Sequence, residues 1–481
     1  MKKANNFKLL FVTLGMLAVP GLAQAASLLE IYQQALQSDP RIHEAEARRL
    51  ASLEAEPQAR GVLLPQINFS AEWSESNSSG PGNYADGAGG TLPGTSDADF
   101  NDTDWRFSLR QTLFRWDQIV DLRRADKLVA KAEADREAAQ QDLVIRVGQT
   151  YFDVLGAEDR LTSLHANRQA IARQLEQAKQ RFDVGLIAIT DVQESQAAYD
   201  QAVADEIGAK RSLATAREFL REITGEYVSN LSAPGDEFPM RAPTPASEKD
   251  WVDLALGQNL VLVSSRLDEK LARDEISYRR NGHYPTVDLV ARTGSSERDG
   301  DGIARLDDDP ATPILFSVDR ESDDDSFGIE FTVPLFSGGS TSSRVREAVY
   351  LHRAAREQLQ RVTRETERQT RDAYLGVLSE MSRVEALEQA VESSRTALEA
   401  TQAGFDVGTR TIVDVLDSQF ALYRAITLFY QARYDYLMNV LRLKQAAGSL
   451  QIQDLENIDQ WLKERKTPEE VFAEEAAAAS S

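Results

Sequence analysis

Two hydrophobic periods alternate along the chain. From Arg115 to Phe182 apolar residues recur at three- and four-residue spacing, with Leu128, Val129, Leu143, Val144, Val147, Tyr151, Val154 and Leu155 marking the stripe. The spacing returns at Tyr374, Leu375, Leu378, Val384, Leu387 and Val391. No proline lies between Pro93 and Pro234 or between Pro334 and Pro468, and Ala, Gln, Glu, Arg and Leu dominate both stretches, so the pattern predicts long helices. A helix from Arg115 to Phe182 would rise about 100 Å, a length that belongs to coiled coils and helical tubes. Val184-Gly185 and Val407-Gly408 end the two stripes with glycine as C-terminal cap, and a second helix returns from each.

Between the helices the period changes to two. Ile67, Phe69, Ala71 and Trp73 alternate with Gln66, Asn68, Ser70 and Glu72. Trp105, Phe107, Leu109 and Leu113 alternate with Arg106, Ser108, Arg110 and Thr112, with Gln111 interrupting the apolar face. Val287, Leu289 and Ala291, then Phe327, Ile329, Phe331 and Val333, repeat the pattern, with Val290 interrupting the polar face. These are strand signatures of about ten residues, the span of a transmembrane β-strand, and Trp73, Trp105 and Trp116 sit near their ends as an aromatic belt would require. A half-buried soluble sheet would show the same alternation. Strand pairs are expected at 66–76/104–114 and 286–295/326–336, joined by polar loops 74–104 and 296–325. The second loop carries Asp307-Asp308-Asp309 and Asp323-Asp324-Asp325, which read as a solvated face or a weak calcium contact.

The two halves are copies. Residues 181–225 reappear as 404–448 without a gap, and 14 of these 45 pairs are identical. Tyr151 aligns with Tyr374, Leu113-Phe114 with Leu335-Phe336, and Pro65 with Pro285. An internal duplication of roughly 220 residues is therefore read before any other feature. It divides the chain into a first repeat, 26–225 with its hairpin tip near 182–191, and a second, 248–448 with its tip near 405–414. A proline-rich linker, 226–247, is expected to lack regular structure. The extension 449–481 is expected to be poorly ordered from Lys463.

Composition narrows the class. Lys2, Lys3 and Lys8 precede an apolar run, Leu9 to Val19, and Ala23-Gln24-Ala25 is a small-x-small cleavage site, so 1–25 reads as a secretory signal peptide. With no cysteine there is no disulfide framework or thiol chemistry. A net charge of −23 argues against nucleic acid and anionic lipid as binding partners. His43, His165, His283 and His352 are scattered without metal spacing or a nucleophile motif, so no enzyme, metal site or cofactor is indicated. Four strands cannot close a membrane barrel, eight are filled by side chains, and twelve leave a lumen, which makes three copies the expected assembly. The expected fold is therefore an α+β membrane protein. Its duplicated unit supplies long antiparallel coiled-coil helices, forming a trimeric α-barrel joined to a 12-stranded transmembrane β-barrel with four strands per protomer. A periplasmic coiled-coil scaffold and a passive porin are the rival readings.

Arg181 to Val192 and Val407 to Asp417 resemble the two hairpin tips of the TolC-type outer-membrane factor family, and the element order agrees over the whole mature chain. The resemblance implies an exit duct in the cell outer membrane whose helical tube stands in the periplasm. It implies recruitment by a periplasmic adaptor and an inner-membrane pump of RND, ABC or MFS type, for drug efflux and one-step (type I) protein secretion. It further implies a periplasmic gate in which Arg410 bonds Thr190 and Asp191. The family's tyrosine at position 405 bonds Asp191, but here Phe405 has no hydroxyl, so one link is missing or replaced. Asp414 and Asp417 match two acidic constriction rings, with a blocking cation as a possible contact. Thr411-x-x-Asp414 reads equally as a helix capping box. Val184, Gly185 and Leu186, with Val407, Gly408 and Thr409, correspond to the adaptor-docking tips.

Overall fold

The computed structural model describes residues 25–85, 90–228, 230–235 and 238–472; the signal-peptide reading of 1–25 thus falls almost wholly outside the described residues. Three short helices, α1 (Leu28–Ser38), α2 (Pro40–Leu53) and α3 (Ala55–Gly61), precede the strands β1 (Gln66–Ala85) and β2 (Thr91–Phe114). The long hairpin α4 (Trp116–Asp183) and α5 (Ile189–Thr224) follows, then β3 (Ala233–Pro234). The second half repeats the order with α6 (Glu248–Gln258), α7 (Leu260–Arg280), β4 (Thr286–Leu306), β5 (Ile314–Thr332), α8 (Ser340–Asp406) and α9 (Ile412–Ala446). After these come α10 (Ile452–Asp459) and β6 (Leu462–Lys463), and residues 468–472 are again helical. Contacts divide it into two compact units, to both of which α4 and α8 contribute.

One unit comprises 25–42, 139–257 and 367–472. Its core joins Leu28, Ile31 and Tyr32 of α1 with Leu143, Val147, Tyr151 and Leu155 of α4, Leu220 of α5, and Leu437 and Leu441 of α9. Each large aliphatic side chain buried there contributes about 1.5–3 kcal/mol relative to exposure. The tyrosines paired by the internal repeat do the same work in both copies. The Tyr151 hydroxyl donates to the Ser232 carbonyl at 2.6 Å, and that of Tyr374 donates to the Ala246 carbonyl at 2.6 Å. Both carbonyls belong to the segment expected to be an irregular linker. That segment is instead held: β3 pairs with β6, and Ala26 bridges Leu231. Buried tyrosine hydroxyls need acceptors, and here backbone oxygens supply them.

The tail is likewise ordered further than its composition suggests. Arg465 reaches the buried pair Glu158 and Asp159 on α4, Arg217 of α5 joins Glu158 to Glu469, and the Phe472 ring stacks on His165 with centroids 3.6 Å apart. His165 in turn lies 3.2 Å from Glu206, which Lys210 contacts at 2.8 Å. Burial raises the Glu206 pKa, but bonds from Lys210, His165 and Arg168 outweigh it and bring the value down to about 2. Specific charge pairs thus override an acidic, alanine-rich composition through Phe472; residues 473–481 lie outside the described residues.

The other unit comprises 43–138 and 258–366. Its sheet has the order β1-β2-β4-β5, antiparallel throughout. Odd-numbered positions share one face: the register sets Ile67 beside Leu109, Leu109 beside Ala291, and Ala291 beside Phe327. This face is bare, with Ile67, Phe69, Trp73, Phe327, Ile329 and Phe331 all more than half exposed. Even-numbered positions form the polar face, where Arg110 bonds Asp288 at 2.8 Å and Glu330 at 3.4 Å, and Arg115 bonds Asp288 at 2.9 Å.

The strands are longer than the alternation predicts. Segments 74–85, 91–103, 296–306 and 314–325, expected as loop, continue the ladder, and Trp73 and Trp105 lie inside strands rather than at their ends. In the other direction β5 stops at Thr332, short of the expected 336. Ladder hydrogen bonds are made by the backbone and tolerate a polar sequence, so alternation reports only the stretch whose one face meets an apolar medium. No described helix is long and apolar enough to cross a membrane.

Candidate gate at the hairpin tips

Both tips are built by the same turn. Gly185 takes φ +76°, its amide donates to the Phe182 carbonyl at 2.8 Å, and the Leu186 amide donates to that of Arg181 at 2.9 Å. Gly408 takes φ +80°, donating to Phe405 at 3.0 Å, while the Thr409 amide donates to the Gly404 carbonyl at 2.8 Å. These bonds satisfy the last carbonyls of each helix, and the positive φ is why glycine stands at both positions. The turns leave Val184, Leu186 and Val407 about 70% exposed.

Between the tips, Arg181 at the end of α4 reaches the end of α8. Its guanidinium lies over the Phe405 ring, 4.8 Å from the centroid, and Nη2 approaches Asp406 Oδ1 at 3.0 Å. The ring that lacks a hydroxyl is therefore taken up by a cation–π contact, and Arg181 and Asp406 are two tip residues to which the sequence reading assigned no role. The one signal in the sequence was the missing hydroxyl at Phe405, which leaves an aromatic face free for a cation without saying which cation arrives. Arg410 packs across Gly404 and beside Asp414; among the described residues no hydrogen bond within the chain joins it to Thr190 or Asp191. The Asp191 carboxylate instead accepts from the Ala188 amide at 3.3 Å.

Asp414 caps α9. Its Oδ2 accepts from the Thr411 amide at 2.8 Å and from the Thr411 hydroxyl at 2.9 Å, while its own amide donates to the Thr411 hydroxyl oxygen at 3.2 Å. Those two bonds, the amide's first, and then the nearby Arg410 hold its carboxyl below the usual carboxylate range. Asp417, one helical turn on, is exposed.

The family model described as outer membrane efflux protein matches residues 31–226 and again 251–449. The chain belongs to the outer membrane efflux protein family. It is similar to the outer membrane protein TolC of Vibrio cholerae, at 37% identity over 95% of this chain and 98% of that one. It is also similar to the alkaline protease secretion protein AprF of Pseudomonas aeruginosa, at 30% identity over 90% and 87%. In fold it resembles the Campylobacter jejuni CmeC outer membrane channel, with TM-score 0.70 and 16% identity over 96% and 97% of the two chains. The outer membrane protein VceC of Vibrio cholerae matches at TM-score 0.68 and 20% identity, over 88% and 96%. The chain is an outer-membrane protein. For a member of this efflux family, the tip contacts also have a fixed base: the buried Gln419 of α9 donates to the Asn167 carbonyl of α4 at 3.3 Å.

Proposed function

We propose that three copies form the outer-membrane exit duct of tripartite drug-efflux pumps and type I secretion systems. The observation that carries the reading is a bare apolar sheet face between two open edges. Among the described residues β1 and β5 each pair on one side only, and unpaired edges are not tolerated in lipid. The apolar band also descends across the sheet: Ile67 to Trp73 on β1 lie level with Phe327 to Glu321 on β5, whose own apolar residues run from Phe327 to Phe331. A band at constant depth crosses tilted strands in this way, as barrel closure requires. Twelve strands from three copies then close the barrel, and the hairpins α4–α5 and α8–α9 form the periplasmic tube. Light scattering corrected for detergent is expected to give three chains per particle; a monodisperse monomer, or a chain soluble after osmotic release, would overturn the assembly.

The tips serve as docking points for a periplasmic adaptor, beneath which an RND, ABC or MFS pump of the inner membrane sits. The closed entrance is held within each copy by Arg181 on Phe405 and Asp406, and between copies by Arg410 reaching Thr190 and Asp191. Each exposed ion pair is worth about 0.5–1 kcal/mol, so three copies contribute about 1.5–3 kcal/mol, a shift of roughly ten- to a hundred-and-fifty-fold in an open–closed ratio. Arg181→Ala and Arg410→Ala are each expected to raise single-channel conductance in planar bilayers. Wild-type conductance in Arg181→Ala would remove the Phe405 contact from the lock.

Asp414 and Asp417 form the acidic constriction, Asp414 through the carboxylate oxygen that its cap leaves unused. Six carboxylates around a narrow opening attract multivalent cations. A trivalent cation added from the periplasmic side is expected to block current in the wild type and not in the double variant Asp414→Ala, Asp417→Ala. Block that persists in the variant would leave Asp414 with capping alone.

A further inference from the structure

A cavity of about 950 Å³ opens between α4 and α5, walled by Ile145, Gln149 and Asp153 of α4 and by Ser212, Ala216 and Phe219 of α5. Its volume is that of a pocket for a drug-sized ligand. The helical period fixes which side of the hairpin it occupies. Leu143, Val147, Tyr151 and Val154 turn one side of α4 to the core shared with α1, and the Tyr151 hydroxyl reaches the Ser232 carbonyl of the linker. Ile145, Gln149 and Asp153 each follow by two residues, which is about 200° around the helix. On α5 the same offset separates Phe219 from Arg217, which holds Glu469 of the tail. Linker and tail therefore lie on one side of the hairpin and the cavity on the other.

The lining is basic although the chain carries a net charge of −23. Arg41, Arg146, Arg211 and Arg442 line it against Asp153 and Glu222. Arg146 is committed to Asp39 and Asp142, and Arg442 donates to Gln149 at 2.6 Å while lying near Asp153. The guanidiniums of Arg41 and Arg211 are exposed and pair with no carboxylate among the described residues. They outweigh Glu222. The rest of the lining is apolar: Ile145, Ala216 and Ile223 lie beside Phe219, whose ring is 58% exposed.

We infer that this cavity is a station in the bore for amphipathic monoanions, flat apolar molecules that carry one carboxylate or sulfonate. The apolar body lies on Ile145 and Phe219. The head group takes the guanidiniums of Arg41 and Arg211, whose forked donors match two acidic oxygens. The inference rests on the exit-duct reading, in which the hairpins wall a tube. Three copies of the linker and tail would obstruct a bore, so they stand outside it and the cavity opens inward. There it serves anions that the acidic constriction at the tips repels. A basic pocket past the tips gives them a place to bind, and its openness lets them leave.

Equilibrium dialysis of the protein in lipid nanodiscs against naphthalene-2-sulfonate, with empty nanodiscs as blank, tests the station. Saturable binding of one sulfonate per chain is expected, with uncharged 2-naphthylmethanol bound more weakly. Arg41→Ala and Arg211→Ala are each expected to weaken the sulfonate about tenfold, the loss of one charge-assisted bond, and to leave the neutral compound unchanged. Both side chains are exposed, so neither variant disturbs the core. Ser212→Trp fills the cavity and is expected to abolish binding of both compounds. Sulfonate binding that is absent, that only equals the neutral compound's, or that survives both arginine variants would overturn the station. In planar bilayers the sulfonate is expected to lower the unitary current of the wild type and not that of Arg211→Ala. Binding without any effect on current would put the cavity outside the bore and overturn the station. A wild type that passes no unitary current would overturn the duct reading, and the station with it.

Discussion

On the proposed exit-duct reading, Gly408→Trp, and equally Gly185→Trp, is expected to abolish export while the protein still assembles in the outer membrane as trimers. Nothing lies within 4 Å of a Cβ built at either glycine, so the indole projects into solvent at the hairpin end without displacing the chain's own atoms. The positive φ imposes about 1 kcal/mol on any side chain there, which weakens one helix cap and leaves the buried core untouched. Docking is affected far more. Val184, Leu186 and Val407 form exposed apolar ends; on the proposed docking reading an adaptor covers them by approaching the turn backbone closely, and a bulky residue at the turn is expected to prevent that approach. Gly408→Ala separates the two effects, since it carries the same φ strain without the bulk and should keep most of its export. Efflux is read as drug susceptibility of cells lacking other exit ducts, and assembly as trimers on unheated gels. Export that survives Gly408→Trp would place the adaptor along the tube wall instead.

Arg465→Ala is expected to lower the stability of the folded chain by about 3–5 kcal/mol, as removing one partner of a buried ion pair does. Arg465 lies beside Asp159 and is 3.4 Å from Glu158, and both carboxylates are buried against α4. Burial raises both carboxyls above the ordinary carboxylate range even with Arg465 present, as the first of the forces pulling them down. Arg217 retains Glu158 at 3.1 Å and the Tyr434 hydroxyl donates to Asp159 at 2.5 Å, but neither replaces a buried guanidinium. A carboxyl whose folded pKa is raised contributes stability that is full below its ordinary value, near 4, and is lost as pH rises through the raised value. Without Arg465 both values rise further, so the variant's deficit is greatest near pH 8 and shrinks toward pH 5. Glu206 has the opposite sign, losing its contribution only as pH falls toward 2, and so stays constant across that window. Thermal melting of the detergent-solubilised protein at pH 5 and pH 8 measures both. A deficit below about 1 kcal/mol, or one equal at the two pH values, would show that the tail merely rests on the hairpin.

Helices, their two glycine-ended tips and the duplication were open to reading because each follows from local chemistry. A proline-free amphipathic stripe specifies a helix, and a glycine with positive φ specifies its end wherever α4 and α8 are packed. The apolar face of the sheet was legible for the same reason, since period two records which side chains share a face. Strand length was not, because backbone ladders run through Ser, Asn, Asp and Gly in 74–85 and 296–306 with no apolar signal. The order of the linker and tail was also hidden. Ser232 and Ala246 gain their order by accepting from tyrosines 81 and 128 residues away in sequence, and Arg465 by reaching carboxylates more than 300 residues distant.

The tip shows the division most clearly. Sequence alone determined that position 405 lacks a hydroxyl and that Asp414 stands three residues after Thr411, where it could cap. Only the tertiary structure decided that Arg181 occupies the Phe405 ring and that one Asp414 oxygen is committed to the cap. An aromatic face accepts any cation that packing brings within about 6 Å, and which cation arrives depends on how α4 and α8 end beside each other, not on the residues next to Phe405 in the chain.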